Sequence, residues 1–437
     1  MLLSESEAKA IGKKVMGFVT AADAQVTLRG EKYSHLRFAV NAFSTSGYRE
    51  DLDVSVTVWV GRRKGTAITN ELDDASLRGA VREAQARARI SPVDEEYVPT
   101  LGPQNYEPVA GFAESTLNLS LDDRAQKLAS VIGECDKAKV TGAGFHQTRG
   151  SVIASATRRG NFRYDRSTLA SLSVTARTLE GTGSGYFLRN HFDATHLDTG
   201  RVGREAVAKA LNSRDPRPME PGVYSVILEP QAVADLLGGF QYAFDARLAD
   251  EGRSAFSALG GASKIGQPVL DEQLSFYSDP WHPQLPGPSA AQDGIPAQKL
   301  HLIRNGALEN LVYSRFWARK KGKAPTPGPV NAILEGNAPP VSVADMIGAT
   351  SRGLLVGRFW YIRSVDPRTL TLTGLTRDGV WYVENGKIQY PVRNFRFNQS
   401  ILRMLAEGNV ELIGSPERVS STESQGLTAL LLPPLKV

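Results

Sequence analysis

The sequence predicts an α+β chain: a mixed α/β N-terminal domain, then a larger β-rich C-terminal domain closed around one central helix. Three observations carry this reading. Residues 4–18 and 73–89 have the apolar spacing of amphipathic helices, and between them Val54, Val56, Val58 and Val60 alternate with Ser55, Thr57 and Trp59. A period near 3.6 marks a helix with one buried face, and a period of two marks a half-buried strand. Residues 221–248, PGVYSVILEPQAVADLLGGFQYAFDARL, read as strand, tight turn and helix. Residues 361–397 are short β-prone runs separated by turn residues, the pattern of a β-meander. A length of 437 residues allows two or three domains. The natural divisions are an N-terminal α/β domain over 1–110, a middle segment of helices and a hairpin over 111–215, and the β-rich domain over 216–437.

In chain order, Ser4 caps the first helix, with Glu7 three residues on as its reciprocal partner. Short strands begin at 25–28 and 36–41. The valine strand turns through GRRKG at 61–65 and returns over 66–69 as a hairpin. Asp73 or Asp74 then caps a helix whose Leu77, Ala80, Val81, Ala84 and Ala88 face inward. The proline-bearing stretch 91–108 reads as a surface connector. Residues 122–136 form a helix with Leu128 and Val131 inside. Leu172, Val174 and Ala176 alternate as a strand, and GTGSG at 181–185 turns the chain into a further strand at Tyr186 and Phe187. That glycine pattern leads into a strand, not a helix, so it is a hairpin turn and not a dinucleotide fingerprint. Residues 203–211 are helical.

In the 221–248 stretch, Pro221 and Gly222 turn the chain and 223–228 is a buried strand, rich in β-branched and aromatic residues. Pro230 suits the first position of a helix. Val233, Leu236, Leu237, Phe240, Phe244 and Leu248 share one face of a helix running to 248. Asn305 and Gly306 close one later hairpin, and Asn385 and Gly386 another. Residues 401–406 are helical and 427–432 form a final apolar strand.

Net charge is only +5, with no long single-sign run. This speaks against nucleic-acid and membrane-surface partners. No run approaches the apolar length of a membrane span, and the acidic, helical N-terminus is unlike a signal peptide. A single cysteine, Cys135, excludes an internal disulfide and fits a reducing cytoplasm. Glu134 and Asp136 beside it disfavour a thiolate, so it reads as a packed structural residue. Arg315, Arg319, Lys320, Lys321 and Lys323 cluster with Phe316 and Trp317; a solvated helix end or partner contact explains them better than a nucleic-acid patch.

The best candidate for metal chemistry is His191-Phe-Asp-Ala-Thr-His196, with Asp193 or Asp198 as a third donor. Phe192 stands where an activating carboxylate would be needed, and the stretch reads as the end of a hairpin, so solvated loop histidines are the default. His35, His146, His282 and His301 are scattered, and no G-x-S-x-G elbow supports a serine nucleophile.

Residues 221–248, the segment 37–77, the stretches 263–280 and 293–312, and ENGKI with PV at 384–392 together resemble the TldD/PmbA (TldD/TldE) family, the modulators of DNA gyrase. The resemblance covers essentially the whole chain, which stops at Pro-Leu-Lys-Val a few residues short of where it would carry. In catalytic members of that family the helix after the strand carries HExxxH, whose two histidines and glutamate serve a zinc ion. With Leu236 and Leu237 matched to the family's paired leucines, those six positions hold Gly238, Gly239, Phe240, Gln241, Tyr242 and Ala243. The ligand positions are Gly238, Gly239 and Ala243, none with a donor atom, and the late cysteine ligand is also missing.

The two glycines also suit close packing, which restores no ligand. The resemblance therefore implies a TldE-like, non-catalytic subunit with no metal and no cofactor of its own. It implies a homologous zinc-bearing TldD-like subunit as partner, in a cytoplasmic peptidase that takes unfolded peptides. Gly238, Gly239 and Tyr242 are the candidate groove-lining residues, where extended peptide would add to a strand edge. The alternatives are a self-sufficient or homodimeric peptide-binding scaffold, and relocated chemistry at His191 and His196.

Overall fold

A computed structural model describes residues 1–291, 293–421 and 429–437. Ser4 caps α1 (Glu5–Phe18) by accepting from the Glu7 backbone, and the Glu7 side chain accepts from the Ser4 backbone, closing the box expected there. β1 (Asp23–Ala39) turns at Val40 and Asn41, both left-handed, into β2 (Ala42–Val60). The two short strands predicted at 25–28 and 36–41 are one strand of 17 residues. Its middle is polar and only partly covered, which hides its continuity from the hydrophobic pattern. β3 (Arg63–Thr69) follows. Asp73 then caps α2 (Asp74–Ile90), and all five residues predicted to face inward are buried.

A short α3 (Glu114–Leu117) precedes α4 (Leu121–Lys137), which Ser120 caps. β4 (Val140–Thr157), β5 (Phe162–Thr178), β6 (Ser184–His191) and α5 (Thr199–Asn212) complete the first half. The strands form one sheet in the order β3-β2-β1-β4-β5-β6, antiparallel throughout. Every even-numbered residue of β4 is buried. That face carries two apolar clusters, one under α1 and α2 and one under α4 and α5. The sequence reading missed β4 because its covered face is largely Gly, His and Thr. The glycines are required there: a Cβ on Gly144 would lie 2.1 Å from the Phe38 ring.

The second half runs β7 (Ser225–Leu228), α6 (Pro230–Leu237), α7 (Ala246–Asp250), β8 (Leu274–Ser278), β9 (Leu300–Arg304) and β10 (Ala307–Leu308). Next come α8 (Arg315–Lys321), β11 (Ala332–Gly336), α9 (Val343–Gly348), β12 (Arg352–Val356), β13 (Phe359–Asp366) and β14 (Thr371–Thr376). β15 (Val380–Glu384), β16 (Lys387–Pro391), β17 (Arg396–Ser400), α10 (Ile401–Met404) and β18 (Leu412–Ile413) follow. β19 (Glu417–Ser420), β20 (Ala429–Leu432) and β21 (Leu435–Lys436) end the chain.

Two mixed six-stranded sheets, β10-β9-β8-β11-β20-β19 and β16-β15-β12-β7-β21-β18, share one apolar core with α6, whose eight residues are all buried. This is the β-rich domain around a central helix that the sequence predicts. The three-stranded sheet β13-β14-β17 packs beside it.

Four expectations change. Val223 is fully exposed, so the strand starts at Ser225 and only Ile227 and Leu228 are buried. The helix expected to reach 248 ends at Leu237. The 361–397 meander is divided: β13, β14 and β17 form their own sheet, whereas β15 and β16 extend the sheet of β12. The strand at 427–432 is seen over Ala429–Leu432, with 427 and 428 outside the described residues, and β21 follows it. Among the described residues, no helix is long and apolar enough to cross a membrane.

Candidate functional site

The site forms where α6 breaks. Gly238 and Gly239 leave the helix (φ −108°, ψ 0° at Gly239), and residues 240–244 wind into a 3₁₀ turn. Glycine in a helix interior is already unfavourable, and the following side chains have a stronger claim elsewhere. Phe240 and Phe244 meet nearly edge to face at 5.1 Å, and Phe244 also packs on Phe256 at 4.8 Å. Burying these rings against the sheets fixes the chain's direction. Asp245 then caps α7 through the Leu248 backbone, so Leu248 is half-buried and off the face predicted for it.

The break opens a cleft of about 560 Å³. Gly238, Gly239, Tyr242 and Ala243 all line it, facing Ile362 and Ser364 of β13, Leu372 of β14 and Leu370 just before it. Tyr242 is 74% exposed at its mouth. The sequence-predicted residues therefore come together at one place. The opposite wall, more than 100 residues away in the chain, had no sequence signal.

The donor chemistry does not fit a zinc ion. Gly239 faces open space, and Ala243 offers only a methyl group. Gly238 has no room for a side chain: a Cβ there would sit 2.6 Å from Ser421 Oγ and 2.7 Å from Ser421 Cβ. Among the described lining residues Asp235 is the one carboxylate. It is buried and accepts from Gln231 Nε2 at 3.0 Å and from the Phe359 backbone at 3.1 Å, while Gln231 Nε2 also donates to the Ser420 carbonyl at 2.8 Å. These bonds tie α6 to β13 and β19. A polar i,i+4 pair inside an apolar helix was the signal that could have found this network. Arg253, also lining the cleft, pairs with Glu251. Among the described residues, no three His, Cys, Asp or Glu side chains gather into a group able to hold a metal.

Family models match nearly all of the chain: the PmbA/TldA metallopeptidase domain 1 over residues 24–88, the central domain over 114–214 and the C-terminal domain over 221–437. The chain belongs to the PmbA/TldD family. No curated protein matches it significantly. Among solved structures it is similar to TldE from Thermococcus kodakarensis, with 19% identity, TM-score 0.83 and 98% of each chain covered. A proposed modulator of a DNA gyrase from Thermotoga maritima superposes with TM-score 0.82 at 17% identity, covering 98% of this chain and 99% of that one. Another, from Bacteroides thetaiotaomicron, gives 0.81 at 17%, covering 100% and 99%. At these identities the likeness establishes the PmbA/TldD fold.

The other candidates of this PmbA/TldD chain have local structural roles. His191 ends β6, stacks on His196 at 4.8 Å and accepts from the Asp193 backbone at 3.0 Å. Burial, then Arg418, lowers the His191 pKa. The Ser115 hydroxyl, with the Thr195 backbone, holds the Asp193 carboxyl near 2. Asp198 caps α5. Cys135 is buried, and burial, then Asp136 and Glu134, raises its thiol to about 11. The basic cluster on and after α8 is engaged within the chain. Arg315 donates to the Pro99 carbonyl at 2.6 Å, Arg319 to the Tyr97 carbonyl at 3.3 Å and Lys323 to the Tyr313 hydroxyl at 2.7 Å. Trp317, which Lys320 and Lys321 flank, donates to Asp250 at 2.8 Å. The cluster thus fastens the 91–108 connector to the C-terminal half.

Proposed function

We propose that this chain is the metal-ligand-lacking subunit of a TldD/TldE-type heteromeric zinc metallopeptidase that degrades or processes unfolded peptides. The observation that carries this reading is the cleft at the end of α6. Gly238, Gly239 and Ala243 lie together on a PmbA/TldD scaffold, none offers a donor, and Ser421 takes the space a side chain at 238 would need. Water activation then belongs to a homologous zinc-bearing, TldD-like subunit. The cleft here, apolar with hydroxyls from Tyr242, Ser254, Ser364 and Ser421, suits an extended peptide backbone with little side-chain selection.

The test is purification from the native host followed by metal analysis and peptidase assays of each subunit. The expected outcome is zinc and activity in the complex, with neither in this chain alone. Stoichiometric zinc with peptidase activity in the isolated chain would overturn the reading. Purification as a homodimer that binds peptides without cleaving them would favour a self-sufficient scaffold.

A further inference from the structure

Beside α4, on the helix-bearing face of the long sheet, a cavity of about 430 Å³ opens onto the middle of the strands. Lys32 and Ser34 of β1, Tyr48 of β2 and Thr148 of β4 line it, with residues 116–119 as one wall. Ser34 stands opposite both Tyr48 and Thr148 in the strand register, so the three residues lie side by side on one face.

Beneath them is Arg124 of α4, 1% exposed. Its Nη1 donates to Ser34 Oγ at 2.6 Å, and its Nη2 to Thr148 Oγ1 at 3.0 Å and the Leu119 carbonyl at 3.3 Å. Its Nε has no partner, and no carboxylate of the described residues pairs with it. A guanidinium that served only to fasten a helix would be expected to bring a counter-ion when buried. Arg163 in the same sheet does so, with Asp165.

The hydrogen bonds have a direction. Ser34 and Thr148 each accept from Arg124, which leaves each hydroxyl its own hydrogen to donate. No acceptor for either is present among the described residues, and both residues line the cavity. Two hydroxyl donors polarised by a cation behind them form an anion site. Lys32 adds a second cation, 5.8 Å from the Tyr48 ring centre. The described lining holds no Asp or Glu. Glu50, opposite Lys32 on β2, is engaged by Tyr48 and lies 3.8 Å from the N-terminal ammonium.

We propose that this cavity binds a phosphate monoester, its oxygens on Ser34 and Thr148, with Arg124 behind and Lys32 at the mouth. Arg124 has no carboxylate of its own and Lys32 shares the single charge of Glu50 with the N-terminal ammonium, so the site carries positive charge that a dianion uses more fully than a carboxylate would. The space beyond the hydroxyls accommodates the organic part of an ester.

The test uses the full chain, with inorganic phosphate and phenyl phosphate as probes against chloride at matched ionic strength. Thermal unfolding should shift upward with the logarithm of phosphate concentration. In calorimetric titration phenyl phosphate should bind more tightly than inorganic phosphate. Lys32→Gln should weaken both roughly fivefold. Ser34→Asp supplies Arg124 with the missing carboxylate, so it should fold without phosphate and lose the phosphate response. An unshifted unfolding temperature in phosphate would overturn the proposal. So would an undiminished phosphate response in Ser34→Asp or Lys32→Gln. Inorganic phosphate binding with no phenyl phosphate binding would overturn the monoester assignment.

Discussion

The long sheet of residues 23–191 and the shell around α6 bury their apolar surface in opposite ways. The sheet has one covered face, and its helices are amphipathic, each with a wet side: α2 buries Leu77, Ala80, Val81, Ala84, Gln85 and Ala88 and leaves the rest half-buried or exposed. In the shell, short strands close over a helix with no wet side, so even Gln231 and Asp235 are interior. A side chain in the first half can relax toward solvent or across a gap. One in the second is held by two sheets at once. The same difference explains why the α6 cleft is apolar with its two charged groups, Asp235 and Arg253, already engaged, while the cavity beside α4 keeps an uncompensated cation.

The largest expected effect tests that contrast directly. Phe244 is fully buried among Phe240, Phe256 and Phe276, with ring centres 4.8–5.8 Å away. Phe244→Ala should cost about 4 kcal/mol in urea unfolding, from lost transfer energy plus a cavity two sheets cannot close. Phe38→Ala, equally buried on β1, should cost about 3 kcal/mol. Equal costs would show that the two cores are alike in rigidity and would break the comparison.

The next effect is specific to the first half. His146 on β4 is 1% exposed, and burial, then Arg124 and Lys127, lowers its pKa to about 3. The unfolded chain takes up that proton near pH 6.5, and the folded chain does not. Stability conferred by the neutral ring is therefore present above pH 6.5 and is lost as pH falls toward 3. Between pH 7 and pH 4 this amounts to about 3 kcal/mol. His146→Leu should flatten that part of the pH–stability profile; an unchanged slope would place the acid sensitivity elsewhere.

Legibility in the sequence divides along the same line. Helices with a wet side announce themselves, so α1, α2, α4 and α5 and the caps Ser4 and Asp73 were readable to within a few residues. So were the hairpin turns at Asn305–Gly306 and Asn385–Gly386, whose backbones are left-handed at all four positions. β4 was not, because glycines that make room for Phe38 and Leu117 erase its alternation. In the shell, an apolar run gives no period by which to tell a helix that continues from one that breaks, so the end of α6 was missed. Half the candidate site was legible, through Gly238, Gly239 and Tyr242. The rest, Asp235 with Gln231 and the wall of β13 and β14, is assembled by the fold from distant segments.

A smaller effect separates the two vacated glycines. Gly238→Ala places a methyl against Ser421 and 3.1 Å from the Ala234 carbonyl, and should cost about 1–3 kcal/mol. Gly239→Ala meets nothing within 4 Å and should stay within about 0.5 kcal/mol of the parent. If both were tolerated, the shell would be looser around α6 than its burial indicates, and a ligand side chain at 238 would become sterically admissible.

The smallest effect asks whether the halves differ in local helix chemistry or only in enclosure. A Ser-x-x-Asp cap from each half allows the comparison. Ser120 accepts from the Asp123 backbone at 3.0 Å and donates to its carboxylate at 2.6 Å, at the start of α4. Ser342 accepts from the Asp345 backbone at 3.1 Å and donates to its carboxylate at 2.6 Å, at the start of α9. Each satisfies a backbone N–H that the helix leaves without a partner, an interaction confined to the first turn. Ser120→Ala and Ser342→Ala should therefore each cost about 1 kcal/mol in urea unfolding, despite the difference between a 17-residue helix and one of six. A cost for Ser342→Ala several-fold above that for Ser120→Ala would mean that the shell amplifies even surface losses. The contrast between the halves would then lie in cooperativity rather than in how tightly each core is enclosed.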